Sequence, residues 1–164
     1  MLRKRDLLNN EVFFINGKKV GVVKEILVDF ARKKVIGLEV SYLGILSHKV
    51  VCTEDIISID KKIIINKFSN TEGINLSKIM DLDIIDKKGE LKGNVEDIIV
   101  SKDDFSIEGL ICTSGFFRKI LEGKTIFTLD TLILGEDNIL YFGDYKVTLK
   151  SMPHKLIRDD NCDR

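Results

Sequence analysis

Proline is almost missing from this chain: Pro153 is the single one in 164 residues, set against 12 glycines. Segment ends must therefore be marked by glycine and by polar turns. Cysteine is scarce too. Cys52, Cys112 and Cys162 include no C-x-x-C pair, which argues against a disulfide framework or a zinc site and leaves Cys52 and Cys112 reading as small core hydrophobes. The two histidines, His48 and His154, have no second His or Cys at ligand spacing, so no metal centre is expected. No apolar run approaches the roughly 18 residues of a membrane span. Met1-Leu2-Arg3-Lys4-Arg5 does not read as a secretory signal, and the expectation is a cytoplasmic protein, with association at a membrane surface as the alternative. G-x-S-x-G, Walker A and G-x-G-x-x-G motifs are all lacking. The acidic clusters Asp81-Leu82-Asp83, Asp86, Asp103-Asp104 and Asp159-Asp160 fall at turns, where carboxylates bond locally to the backbone. No catalytic, cofactor-binding or metal-ligating residue is therefore assigned, and the chain does not read as an enzyme.

What is present is a message given twice. Gly17, Gly21, Val23, Ile26, Val28, Gly37 and Leu38 recur as Gly89, Gly93, Val95, Ile98, Val100, Gly109 and Leu110, all at an offset of 72. Further on, Val50, Ile56, Ile57, Ile64 and Ile65 fall on Ile126, Leu132, Ile133, Leu140 and Tyr141 at an offset of 76. About four residues have thus been inserted between Cys112 and Lys124 relative to Val40 to Lys49. A shorter likeness joins residues 4–8 to residues 75–80. One offset shared by glycines and aliphatics means an internal duplication, with units at 1–70 and 71–145 and a tail at 146–164. Units of roughly 70 residues bury small cores and are marginal alone, so the two are expected to pack as a pseudo-two-fold pair.

Net charge is zero but unevenly spread. Lys and Arg against Asp and Glu number 13 to 8 over residues 1–70, 8 to 15 over 71–145, and 5 to 3 over 146–164. Halves of opposite sign attract each other, within one molecule or between copies as a homo-oligomer. Neither half is basic enough for bulk nucleic-acid binding, although Arg3, Lys4, Arg5, Lys33 and Lys34 could form a small patch.

Short Ile, Val and Leu runs between glycines predict an all-β protein. Strands are expected at 11–15, 19–29, 35–40 and 49–52, with a hairpin joining 56–59 to 63–65, and the plan repeats in the second unit. Asn16-Gly17 and Lys88-Gly89 are expected to be primed hairpin turns. Val23 has the opposite parity to Ile26 and Val28, as Val95 has to Ile98 and Val100. One extra residue near Lys24-Glu25, and near Glu96-Asp97, would return all three to one face. That is a β-bulge, which would leave Glu25 and Asp97 pointing to solvent. Gly37 and Gly109, inside apolar strands, mark tight bends or close backbone approach.

The run from Gly17 to Asp29, followed by Val35-Ile36-Gly37-Leu38, resembles the PRC-barrel domain. Its pattern is G-x-x-hydrophobic-G-x-V-x-D/E-hydrophobic, then a turn and a strand carrying a glycine. The run from Gly89 to Ile98 is similar, with Leu91 one place early. The domain occurs in the photosynthetic reaction-centre H subunit and in the C-terminal part of a ribosome maturation factor. The likeness covers residues 5–66 and 76–142, and the tandem arrangement is similar to short two-barrel bacterial proteins. It implies two small, partly open β-barrels with short helical turns, acting as a docking module without catalytic residues. Unlike the reaction-centre subunit, this chain has no apolar membrane helix; unlike the maturation factor, it carries a second such unit in place of a different barrel.

The segments least tied to the scaffold are equivalent loops in the two units. The first holds Tyr42, Leu43, Ile45 and Leu46; the second, longer, holds Phe116, Phe117, Arg118 and Lys119. Apolar in the middle and basic or polar at the edge, they are the candidate partner-binding residues. The leading expectation is a non-catalytic docking or adaptor protein that binds another protein. The alternatives are a peripheral membrane module and, by family analogy, an accessory factor in ribosome assembly (16S rRNA processing).

Overall fold

The structure, a computed structural model, describes residues 1–42, 48–113, 124–143 and 147–149. The chain begins with β1 (Leu2–Arg3) and a single helical turn, α1 (Lys4–Leu7). β2 (Glu11–Phe14), β3 (Lys19–Asp29), β4 (Lys34–Tyr42), β5 (His48–Cys52), β6 (Ile56–Ile59) and β7 (Ile63–Ile65) complete the first unit. The second opens with β8 (Ile74–Asn75) and a 3-10 turn, Leu76–Lys78. It continues with β9 (Asp83–Asp86), β10 (Leu91–Val100), β11 (Ile107–Thr113), β12 (Lys124–Phe127), β13 (Leu132–Leu134), β14 (Asn138–Tyr141) and β15 (Val147–Leu149).

Each unit is one strongly bent sheet. The first runs β5-β4-β3-β2-β7-β6, and the second runs β15-β12-β11-β10-β9-β14-β13. Within each, one parallel pair joins an early strand to a late one: Val12 lies opposite Ile63, and Ile84 opposite Ile139. The long strands bend where parity requires it. The β3–β4 register slips between Val23 and Glu25, and the β10–β11 register between Val95 and Asp97. The bulges bring Val23, Ile26 and Val28, and likewise Val95, Ile98 and Val100, into the core.

The short likeness of residues 4–8 to 75–80 is matched in the structure and runs on to Asn9 and Asp81. Leu8 N–H bonds to Lys4 O at 2.9 Å, as Met80 N–H bonds to Leu76 O at 3.0 Å. Asn9 and Asp81 both sit at positive φ, 63° and 66°, and donate to Val23 O and Val95 O. After glycine, asparagine and aspartate are the residues that tolerate this left-handed turn best.

The two units also exchange strands. β1 of the first pairs with β10 of the second, with Leu2 opposite Val100, while β8 of the second pairs with β3 of the first, with Ile74 opposite Val28. Between them Lys34 and Ser106 form a bridge, flanked by Val35 N–H to Phe105 O at 2.9 Å and Ile107 N–H to Lys33 O at 2.7 Å. These partners are all related by the 72-residue offset, so a pseudo-two-fold axis passes through the bridge. One hydrophobic core, containing Leu7, Val28, Leu76, Ile79 and Val100 among others, runs through both units.

Three expectations are corrected. The turns at Gly17 and Gly89 are three-residue loops, not primed two-residue ones. Gly17 N–H bonds to Phe14 O and Phe14 N–H to Lys18 O, with positive φ (81°) at the glycine alone, and the bonds between Asp86 and Glu90 repeat this. Asp97 does not face solvent: Arg3 covers it, and its side chain is 13% exposed. Glu25 is half-buried, its Oε1 accepting the Ile26 N–H at 2.8 Å. Cys112 is buried as expected, whereas Cys52 is half-buried with its Sγ 3.7 Å from Asn70 O.

Candidate docking groove

Uneven charge between the halves is used across the pseudo-two-fold interface. Arg3 pairs with Asp97 at 2.7 Å, Lys33 with Asp130, and Lys34 with Asp104 at 3.8 Å; among the described residues only Lys102 to Asp60, at 3.0 Å, runs the other way. Three members of the expected basic patch, Arg3, Lys33 and Lys34, are therefore paired across the interface, and a fourth, Arg5, lies 3.8 Å from Asp6.

Beside the interface lies a groove of about 750 Å³. One wall is the end of β3 with Phe30, together with residues 72–74 leading into β8. The other is the 3-10 turn Leu129–Thr131, then β13, and Phe142 just past β14. Val28, Leu129 and Leu132 form a buried floor. Above it Ile74 and Phe142 are each 38% exposed and Ile133 is 54% exposed, with Phe30 and Leu134 half-buried. Large apolar side chains gathered at one concave place mark a contact surface better than the same residues scattered singly. Asp29, Glu72, Asp130 and Lys33 are the charged residues of the lining. Asp29 accepts the Arg32 N–H at 2.9 Å.

The pseudo-two-fold axis supplies a comparison within the same molecule. By the repeat offsets Phe30 corresponds to Lys102, Leu134 to Ser58, and Phe142 to Asn66. The surface around Ser58 and Lys102 carries Asp60, Lys61 and Lys62. The equivalent place has apolar side chains of its own, Met1, Leu2, Ile59 and Ile64, but it is rimmed by Asp60, Lys61, Lys62 and Lys102, whereas Phe30, Leu134 and Phe142 add to the apolar surface of the groove.

The sequence-derived candidates lie elsewhere. Tyr42 ends β4, half-buried, with its ring 5.9 Å from Phe68 in an edge-on contact and Lys49 Nζ 4.9 Å from its centroid. Phe14 packs on the same Phe68 at 5.5 Å, so Tyr42 belongs to a cluster at the end of the first unit. Leu43, Ile45, Leu46, Phe116, Phe117, Arg118 and Lys119 lie outside the described residues. A Cβ on Gly21, Gly37, Gly93 or Gly109 would come within 2.1 to 2.8 Å of a neighbouring strand or loop, and Gly17 and Gly89 hold left-handed turns.

The groove residues Phe30, Ile74, Leu134 and Phe142 went unnoticed in the sequence, and Ile133 counted there only as a scaffold match to Ile57. A usable signal lay in the positions where the copies disagree, Phe30 against Lys102 and Phe142 against Asn66. Among the described residues no group of His, Cys, Asp or Glu is placed to hold a metal ion, and no helix is long and apolar enough to cross a membrane.

Fold and groove together define a duplicated small-barrel protein whose most distinctive surface is a cleft between the copies. The sequence model of the PRC-barrel domain matches residues 1–70 and again 71–146. The chain belongs to the PRC-barrel family. A search of curated proteins finds no significant match.

Proposed function

We propose that this protein is a non-catalytic docking module that seats a segment of another protein in the groove between its two units. The observation that carries this reading is the asymmetry of the pseudo-equivalent surfaces: Phe30, Leu134 and Phe142 stand where the other surface has Lys102, Ser58 and Asn66. Packing constrains the two cores alike, so a difference confined to the surface reflects what each surface meets. The acidic side chains of the lining weigh against an anionic membrane as the occupant.

The test is affinity capture from the native cell with two baits, wild type and Ile133→Ser/Phe142→Ser, both checked for an unchanged melting temperature. A protein retained by wild type and lost by the variant, and then shown to bind directly as a purified pair, supports the reading. Identical sets of captured proteins contradict it.

A further inference from the structure

We infer that the groove takes its partner as an added β-strand on the free edge of β13, and that the segment is apolar at alternate positions with lysine or arginine between them. This rests on the docking reading and specifies the partner's chemistry.

Among the described residues β13 pairs only with β14, and β8 only with β3, so both walls of the groove end in open strand edges. Leu132, Ile133 and Leu134 all line it. Successive side chains of a strand point to opposite faces, so three in a row can border one groove only where it runs along the strand's edge.

The backbone on that edge is available. Phe142 N–H bonds to Thr131 O and Gly135 N–H to Asn138 O, at 3.0 and 2.9 Å. In an antiparallel pair bonded residues alternate, which makes Ile133–Leu140 the bonded pair between them. The Leu134 N–H and the Leu132 and Leu134 carbonyls therefore point away from β14. Leu132 N–H is already used, donating to Leu129 O.

Native sheets blunt such edges with bulges and lysines, because an open apolar edge invites pairing. The equivalent strand β6 is blunted in this way: its register with β7 slips between Ile56 and Ser58, and Lys61 and Lys62 follow it. β13 has a regular register and three consecutive aliphatics. A strand seated there meets apolar walls on Phe30, Ile74 and Phe142, which calls for alternate apolar side chains. Arg32 pairs with Asp29 at 3.5 Å and Lys33 with Asp130, which leaves Glu72 as the unmatched charge of the lining and calls for a cation on the occupant.

The test uses the full chain and a synthetic probe of about twelve residues alternating valine or isoleucine with lysine, a length typical of one or two strands. Binding is read by fluorescence anisotropy. An isomer of the same composition with its apolar residues at helical spacing should bind about tenfold more weakly or worse, as should the probe N-methylated along one edge. Leu134→Pro, which removes the outward N–H, should weaken binding about tenfold beyond Leu134→Ala, which keeps it. Replacing the lysines by glutamate should weaken binding at low salt, with the difference shrinking at high salt.

Equal binding of the helical isomer and indifference to N-methylation would overturn the added strand. The docking reading would still stand if Ile133→Ser/Phe142→Ser weakened that binding, and would fall with it if the variant bound like wild type. Failure of the alternating probe to bind, or a preference for its glutamate version, overturns the inference. So does groove-dependent sedimentation with phosphatidylserine vesicles in place of peptide binding.

Discussion

Arg3, in the first strand of the chain, places Nε 2.9 Å and Nη2 2.7 Å from Oδ2 of Asp97, at the bulge of the second unit's long strand. The other oxygen of Asp97 accepts the N–H groups of Lys4 at 3.0 Å and Ile98 at 2.8 Å. A single carboxylate thus ties the exchanged N-terminal strand to the bend that shapes the neighbouring barrel. Asp97→Ala strands two backbone donors and a guanidinium, and should cost about 2–4 kcal/mol; Arg3→Ala leaves the carboxylate its backbone partners and should cost about 1 kcal/mol. Denaturant unfolding of both variants checks the order, which an equal loss would contradict.

The strand exchange makes each unit depend on the other. Residues 1–70 lack Leu76 and Ile79, which are 1% and 2% exposed in the intact chain, and residues 71–164 lack Leu7, which is fully buried. Neither fragment alone should give a sharp thermal transition, and mixing the two should restore one. Cooperative melting of the isolated 1–70 fragment near the temperature of the full chain would show that the units are independent.

Two glycines of similar appearance in the sequence should respond differently to alanine. A Cβ on Gly21 would stand 2.1 Å from the Ser41 carbonyl oxygen, so β3 and β4 must separate, at a cost of about 3 kcal/mol or more. At Gly17 the space is open and only the positive φ of 81° is strained, about 1 kcal/mol. Melting temperatures of the two variants measure the difference.

The hairpin of β9 and β10 should loosen in acid. Asp86 is held at about 2, well below the usual aspartate range, by the Lys92 ammonium and by the Glu90 and Lys88 N–H groups. A carboxyl depressed by folding contributes stability that is complete above its unfolded value and is lost as pH falls through its folded one. Its contribution should therefore disappear between about pH 4 and pH 2, a loss absent from Asp86→Asn. Carboxyl carbon NMR titration of Asp86 gives the direct reading; a midpoint in the ordinary aspartate range contradicts it.

The barrels were legible in the sequence because their signals are local or repeated. The 72-residue offset announced two copies of one unit, and the parity of Val23 against Ile26 placed the bulge near Lys24-Glu25, where the register slips. The exchange of β1 and β8 was hidden because two-residue strands carry no periodicity and take their place from partners about a hundred or about fifty residues away along the chain. Solvent was the expected neighbour of Asp97 for the same reason, since nothing near it in the chain points to Arg3. The groove escaped notice because Ile133 and Ile57 match as scaffold, yet both are exposed. Apolar character shows that a side chain avoids water, but not whether the contact lies within the chain or with another molecule.

The most direct measurement of the docking account is amide NMR of the full, isotope-labelled chain titrated with the alternating valine–lysine peptide. Shifts and broadening should concentrate at residues 28–33, 72–74, 129–134 and 142, leaving Ser58–Lys62 and Lys102 unchanged. Perturbations centred on Ser58–Lys62 and Lys102, or spread evenly over both surfaces, would contradict it.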